Sequence, residues 1–181
     1  RMRVVDAIGR LADKPRLSEA GNWLNPDGNS VRVRVGEIDQ SAWSDCIEDW
    51  NHEEGGVPFI RSAHFMSIDG EVRLHHPSFE EDIEEGAIQR SQSLWVGESN
   101  NSVGPRIACQ AILNSNDNRR LHWAVIPEGC VLSNSVNFLE FSEEVSEAIL
   151  NRGGGSLILG LEWLCKVMNS EDLEIWYRAW G

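Results

Sequence analysis

Valine and arginine alternate without a break along "VRVRV", residues 31 to 35. This period of two predicts a strand with Val31, Val33 and Val35 on one face and Arg32 and Arg34 on the other. The period returns on both sides of Asp69-Gly70, a dipeptide that favours a two-residue hairpin turn. A hairpin closed there sets Ile68 opposite Glu71, Ser67 opposite Val72, Met66 opposite Arg73, Phe65 opposite Leu74 and His64 opposite His75. Phe65, Val72, Leu74 and Ala63 then form the buried face. His64 and His75 meet on the solvent face, and His76 points the other way.

Apolar spacing of three and four predicts helices elsewhere. Val4, Val5, Ile8 and Leu11 give one over residues 3 to 13; Trp43, Ile47 and Trp50 give a short one ending at Gly55-Gly56, with both tryptophans as core anchors. Phe79, Ile83, Ala87 and Leu94 give a third, running to about Trp95. Ser78 is its N-cap, Glu81 completes a capping box, and Glu80, Glu81 and Asp82 form a solvated acidic first turn favoured by the helix dipole. Ser142 caps "EEVSEAILNR", which Gly153-Gly154-Gly155 closes, and "SLILGLEWLCKVM" is apolar nearly all round, the mark of a buried helix.

Between these lie "RIACQAIL" and "LHWAVIP", a second antiparallel pair around a polar loop, and "CVLSNSVNFLEF", a strand with a polar interruption. "DLEIWYRAW" alternates again and is read as a strand. Hairpins separated by helices predict an α+β fold: a single domain over residues 1 to 181, with a mainly antiparallel sheet of about five to seven strands packed by helices.

Charge narrows the function classes. The 29 acidic residues outnumber the 16 basic ones, for a formal net charge of -13, so nonspecific binding to nucleic acid or to an anionic membrane is opposed by long-range repulsion. A protein partner with a basic surface fits that charge. Cys46, Cys109, Cys130 and Cys165 form no CxxC pair, which suits a reducing cytoplasm, and no apolar run reaches the roughly 18 residues of a membrane span. The segment "MRVVDAIGRLADK" is interrupted by Asp6 and Arg10 too early for a signal peptide.

Three constellations could carry chemistry. His64 and His75 on one hairpin face would supply half of a zinc site, but no third ligand follows from spacing, so no metal or other cofactor is expected. His122, among apolar residues in "RRLHWAV", reads as a satisfied, half-buried histidine rather than a general base. Arg152, Gly153, Gly154 and Gly155 precede a helix whose N-terminus could hold a phosphate. The order of Arg152, Gly153 and Gly155 is similar to the acyl-CoA-binding loop of the GNAT acetyltransferases. Leu157, however, stands where that loop ends in a small residue, and a helix precedes the turn where the family has a strand.

The third constellation is the C-terminal alternation, which places Trp176, Arg178 and Trp180 together on the face opposite Leu173, Ile175 and Tyr177. Exposed tryptophan and arginine are typical interface anchors. With no complete catalytic motif in view, the first expectation is a soluble acidic protein-binding module of inhibitor, immunity or regulatory type. The alternative is a small enzyme, either a transferase binding a phosphate-bearing cofactor at Gly153-Gly155 or a histidine-dependent hydrolase.

Overall fold

The computed structural model describes residues 31–51, 55–68, 70–79, 90–98, 104–111, 122–171 and 174. The expected helix over residues 3 to 13 and most of the acidic segment after Phe79 lie outside them.

The architecture is mixed α+β. The strands are β1 (Val31–Val35), β2 (Ile47–Glu48), β3 (Val57–Ile60), β4 (Phe65–Ile68), β5 (Glu71–Leu74), β6 (Leu94–Trp95), β7 (Arg106–Gln110), β8 (Trp123–Ile126), β9 (Val131–Leu132) and β10 (Val136–Phe141), followed by helices α1 (Glu143–Arg152) and α2 (Leu157–Met168). Instead of the one expected sheet, they build a four-stranded antiparallel sheet ordered β1-β10-β7-β8, a second ordered β2-β6-β3-β9, and the separate hairpin β4-β5. In the second sheet β3 runs parallel to β9.

The polar interruption in "CVLSNSVNFLEF" explains the division. β9 and β10 belong to different sheets, and the chain crosses between them at Ser133, whose buried hydroxyl bonds Gln40 and Ser135. A polar step inside an apolar run lets the chain leave one ladder without stranding its own polar groups.

The first sheet is covered on both faces, and β7 is buried along its whole length. Ile107, Cys109, Trp123 and Leu139 pack against Val145 and Ile149 of α1 and Leu161, Leu164 and Met168 of α2. The alternate residues Ala108, Ala124, Ile126 and Val136 pack against Ile60, Phe65, Cys130 and Leu132 on the other side. At the start of β7, buried Arg106 is paired with Glu37 at 2.9 Å and lies over the Phe138 ring.

The helix pair forms as its sequence predicts. Ser142 accepts from the Val145 N–H, and Ser156 caps α2 by accepting from Leu159. α1 ends in a Schellman motif: Gly155 N–H donates to the Leu150 carbonyl and Gly154 N–H to that of Asn151, with Gly154 at φ 64°. Close packing needs glycine once more, because a Cβ on Gly160 would lie 2.1 Å from the Ile149 carbonyl oxygen. α2 is not buried all round, as Ile158 and Leu159 are exposed. Among the described residues no helix is long and apolar enough to cross a membrane.

Two predicted helices are corrected. Residues 41 to 48 form turns, a short 3-10 turn at Ser44–Cys46 and then β2, where Ile47 and Glu48 pair with Trp95 and Leu94. Trp43 is therefore no core anchor: it is exposed, with its ring edge-on to Trp95. Leu94 and Trp95 are strand rather than a helix end, since β6 pairs with both β2 and β3. Of the C-terminal segment read as a strand only Glu174 is described, and it is helical, with its N–H donating to the Ser170 carbonyl. The β1 alternation forms as predicted, yet only Val31 is buried.

Candidate binding cleft beside the hairpin

The hairpin has the predicted register, Phe65 opposite Leu74 through Ile68 opposite Glu71, with Gly70 at φ 83° in the turn. β5 lies beside β8, and α2 passes along the same edge, so the three border a cleft of about 440 Å³. Val72, Leu74, Ala124 and Val125 give it an apolar lining. Glu71 and Arg73 on β5 and Glu162 and Lys166 on α2 add charges of both signs.

Each charge is placed by a local period. Glu71 and Arg73 are two apart on a strand and pair at 2.7 Å, while Glu162 and Lys166 are four apart on a helix and share its face. The hydrogen bond from Arg73, with its charge and that of Lys166, holds the Glu71 carboxyl below its ordinary value. The neighbouring Cys165 and Asn169, the residue that ends α2, turn to β8. Asn169 accepts from the Trp123 N–H at 3.0 Å and donates to the Trp123 carbonyl at 2.7 Å, where the Cys165 thiol also donates. One side-chain amide thus replaces a neighbouring strand. Val125 lies two residues on, so its main-chain groups point the same way, toward the cleft.

His64, His75 and His76 are all buried, which corrects the expected solvent face. The ladder ends at Phe65 opposite Leu74, and Ser62–His64 is a 3-10 turn, so the period of two no longer governs His64. His75 N–H still donates to the His64 carbonyl at 2.7 Å, but both side chains are interior. His64 Nδ1 accepts from the Arg61 N–H. His76 stacks edge-on to His64 at 4.8 Å; its Nε2–H donates to the Ser93 carbonyl, and its Nδ1 accepts from the Ser78 N–H and hydroxyl.

Burial, aided by the nearby Arg61 charge and opposed by the Ser93 bond, lowers the His76 pKa to about 4. The ring is a neutral brace with both nitrogens occupied. Ser78, expected as a helix cap, directs its described bonds to that ring. Among the described residues no cluster of three or more histidine, cysteine or acidic side chains could hold a metal. His122 is buried, with its N–H on Gln110 and Nδ1 at 3.4 Å from the Phe65 carbonyl.

The glycine turn spends its amides internally. The N–H groups of Gly153, Gly154, Gly155 and Ser156 donate to the carbonyls of Ile149, Asn151, Leu150 and Gly153, and the Arg152 guanidinium lies over the Trp163 ring. A phosphate there would have to displace bonds that close α1. The segment before the turn is a helix, as the sequence predicts and unlike the GNAT loop. Trp176, Arg178 and Trp180 lie outside the described residues.

Sequence reasoning did not find the cleft. Its one legible signal is the pair of four-residue spacings, Glu162 to Lys166 on α2 and Cys165 to Asn169 at its end. No family model, curated protein or solved structure matches the chain.

Proposed function

We propose that the chain is a noncatalytic protein-binding module of inhibitor, immunity or regulatory type, and that the cleft receives an apolar side chain of the partner. One observation carries this reading: an apolar hollow of about 440 Å³ between the β8 edge, a hairpin and a helix, bordered by charges of both signs. Such a hollow excludes water from an anchor while its rim fixes orientation. The net charge of -13 favours a partner whose surface is basic beyond the anchor. Four free cysteines suit a reducing compartment, and we place the protein in the cytoplasm.

The test is affinity capture from source lysate with the wild type and Val72→Arg, which puts a cation into the cleft from a half-buried position. The variant should melt within a few degrees of the wild type and recover at least about tenfold less partner, the range of hot-spot losses. Undiminished capture by a folded variant refutes the reading. A thermal-shift screen with nucleotides, coenzyme A and divalent metals separates it from the enzymatic alternative. A ligand at a hundred times its Kd adds about 2.7 kcal/mol, so a raised melting point in that screen would favour the enzyme.

A further inference from the structure

The first sheet ends in two edges, β1 and β8. Main-chain groups alternate sides along an antiparallel strand, so one contact orients each edge. Gly36 N–H donates to the Val136 carbonyl at 2.8 Å, so Gly36, Arg34 and Arg32 face β10, and Val31, Val33 and Val35 turn their N–H and C=O groups outward. On β8 both main-chain groups of Trp123 are bonded to Asn169, away from β7, so those of Val125 turn outward as well. The clasp thus closes β8 at Trp123 alone, and the next outward position, Pro127, has no N–H to offer. Between them Val125 presents one donor and one acceptor, and among the described residues no strand pairs with that side.

Val125 lines the cleft, and the edge there runs between two walls. Its side chain packs with the helix layer, while those of Ala124 and Ile126 belong to the hairpin layer with Leu74. α2 therefore walls one side of the edge with Glu162, Cys165 and Lys166, and β5 walls the other with Val72 and Leu74. The charges on the α2 wall differ in their surroundings. Lys166 lies close enough to Glu71 to help hold its carboxyl below the ordinary value, and Glu71 is also paired with Arg73. Glu162, one turn earlier and exposed, has no ion pair among the described residues.

We propose that the cleft takes a short extended segment of a partner protein, in which a basic residue pairs its main chain with Val125 and an apolar residue stands next to it. This rests on the reading of the cleft as the seat of a partner's apolar side chain. The residue opposite Val125 shares its face and points toward α2, so a lysine or arginine there meets Glu162. Its neighbour points to the other face, over Ala124 and against Val72 and Leu74. The segment exchanges two main-chain bonds with Val125, and the ladder cannot extend past it because Asn169 occupies Trp123. At about 440 Å³ the cleft is the size of a small-ligand pocket, with room for a few residues and not for a whole strand. The net charge of -13 draws a basic segment toward the protein, and Glu162 gives its charge a place.

The test uses fluorescein-labelled, end-blocked peptides in 0.15 M salt, read by anisotropy. The parent carries leucine, lysine and leucine between threonines; a second has glutamate for the lysine, a third has the lysine N-methylated on its main chain, and a fourth has serines for both leucines. The parent should bind the wild type at least about tenfold more tightly than each of the others. Glu162→Lys, at an exposed position and checked for folding by circular dichroism, should reverse the preference to the glutamate peptide. Equal binding of the methylated peptide would overturn the strand pairing, and equal binding of the glutamate peptide would overturn the basic occupant, even if the variant fails to fold. An unchanged preference in folded Glu162→Lys would overturn that occupant too, and no saturable binding of the parent below about 1 mM would overturn the whole proposal. The leucines separate this inference from the reading beneath it. Equal binding of the serine peptide refutes the apolar seat itself, whereas binding that needs leucine but tolerates N-methylation leaves the seat standing and removes only the strand.

Discussion

At the β8 edge of the first sheet, Asn169 returns both a donor and an acceptor to Trp123, Cys165 adds a third bond, and α2 runs alongside. At the β1 edge, three residues turn their main-chain groups outward and two valines stand more than half exposed. Exposed edges are templates for pairing, and proteins usually blunt them. Here one edge is blunted by a side chain that imitates a strand, and among the described residues no strand pairs with the outward side of the other. The contrast teaches that edge closure is local: a two-residue clasp achieves it at β8, and among the described residues β1 has no counterpart.

Acid should bear most heavily on the end of the hairpin, where His76 is held by Ser93 and Ser78. Folded His76 stays neutral down to about pH 4, whereas in the unfolded chain it takes a proton near 6.5. The unfolded state then binds more protons between these values, so stability falls as pH drops through that window, by on the order of 3 kcal/mol, and levels off below it. Hydrogen exchange should show β5 and Ser93 losing protection before the β1-β10 ladder. His76→Gln should flatten the acid slope in denaturant melts, and simultaneous loss at both edges would break the contrast.

Gly160→Ala is next in size. Alanine gains about 1 kcal/mol of helix propensity, but its methyl would lie 2.1 Å from the Ile149 oxygen, so the helices must part. The net loss should be about 2 kcal/mol by urea unfolding, with faster exchange in β8 than in β1. Asn169→Ala should cost about 1.5 kcal/mol, since it strands the Trp123 N–H and leaves its carbonyl to Cys165 alone. Val33→Thr, at an exposed position on the open edge, should change stability by less than about 0.5 kcal/mol. A larger loss there would mean that the β1 edge is covered.

Much of the scaffold is legible because its signals are local. Asp69-Gly70 and the alternation around it fix the hairpin register, Ser142 and the glycines after Arg152 fix α1, and "RIACQ" and "WAVI" pair as their pattern predicts. The misread segments are those decided at a distance. Trp43, Ile47 and Trp50 have helical spacing, but Ile47 and Glu48 find their partners on β6, and so few apolar positions cannot outweigh a ladder. The histidines were misplaced because a 3-10 turn interrupts the strand period one residue before Phe65. The Asn169 clasp joins residues 46 apart in the chain, and neither residue type announces the other. The β1 strand is half legible, in that the alternation gives its faces but not which one the helices reach.

The buried thiols have a practical corollary. Burial raises Cys109, Cys130 and Cys165 to about 12, and alkylating reagents attack only the thiolate. Each therefore reacts only in molecules that have opened around it, while half-buried Cys46 needs less opening and serves as the internal reference. Cys165 reports departure of α2 from β8, Cys130 reports loosening of the opposite layer, and Cys109 waits for the central strand. Mass-spectrometric labelling rates of the unmodified protein would then rank the stability of its layers, with no probe introduced by mutation.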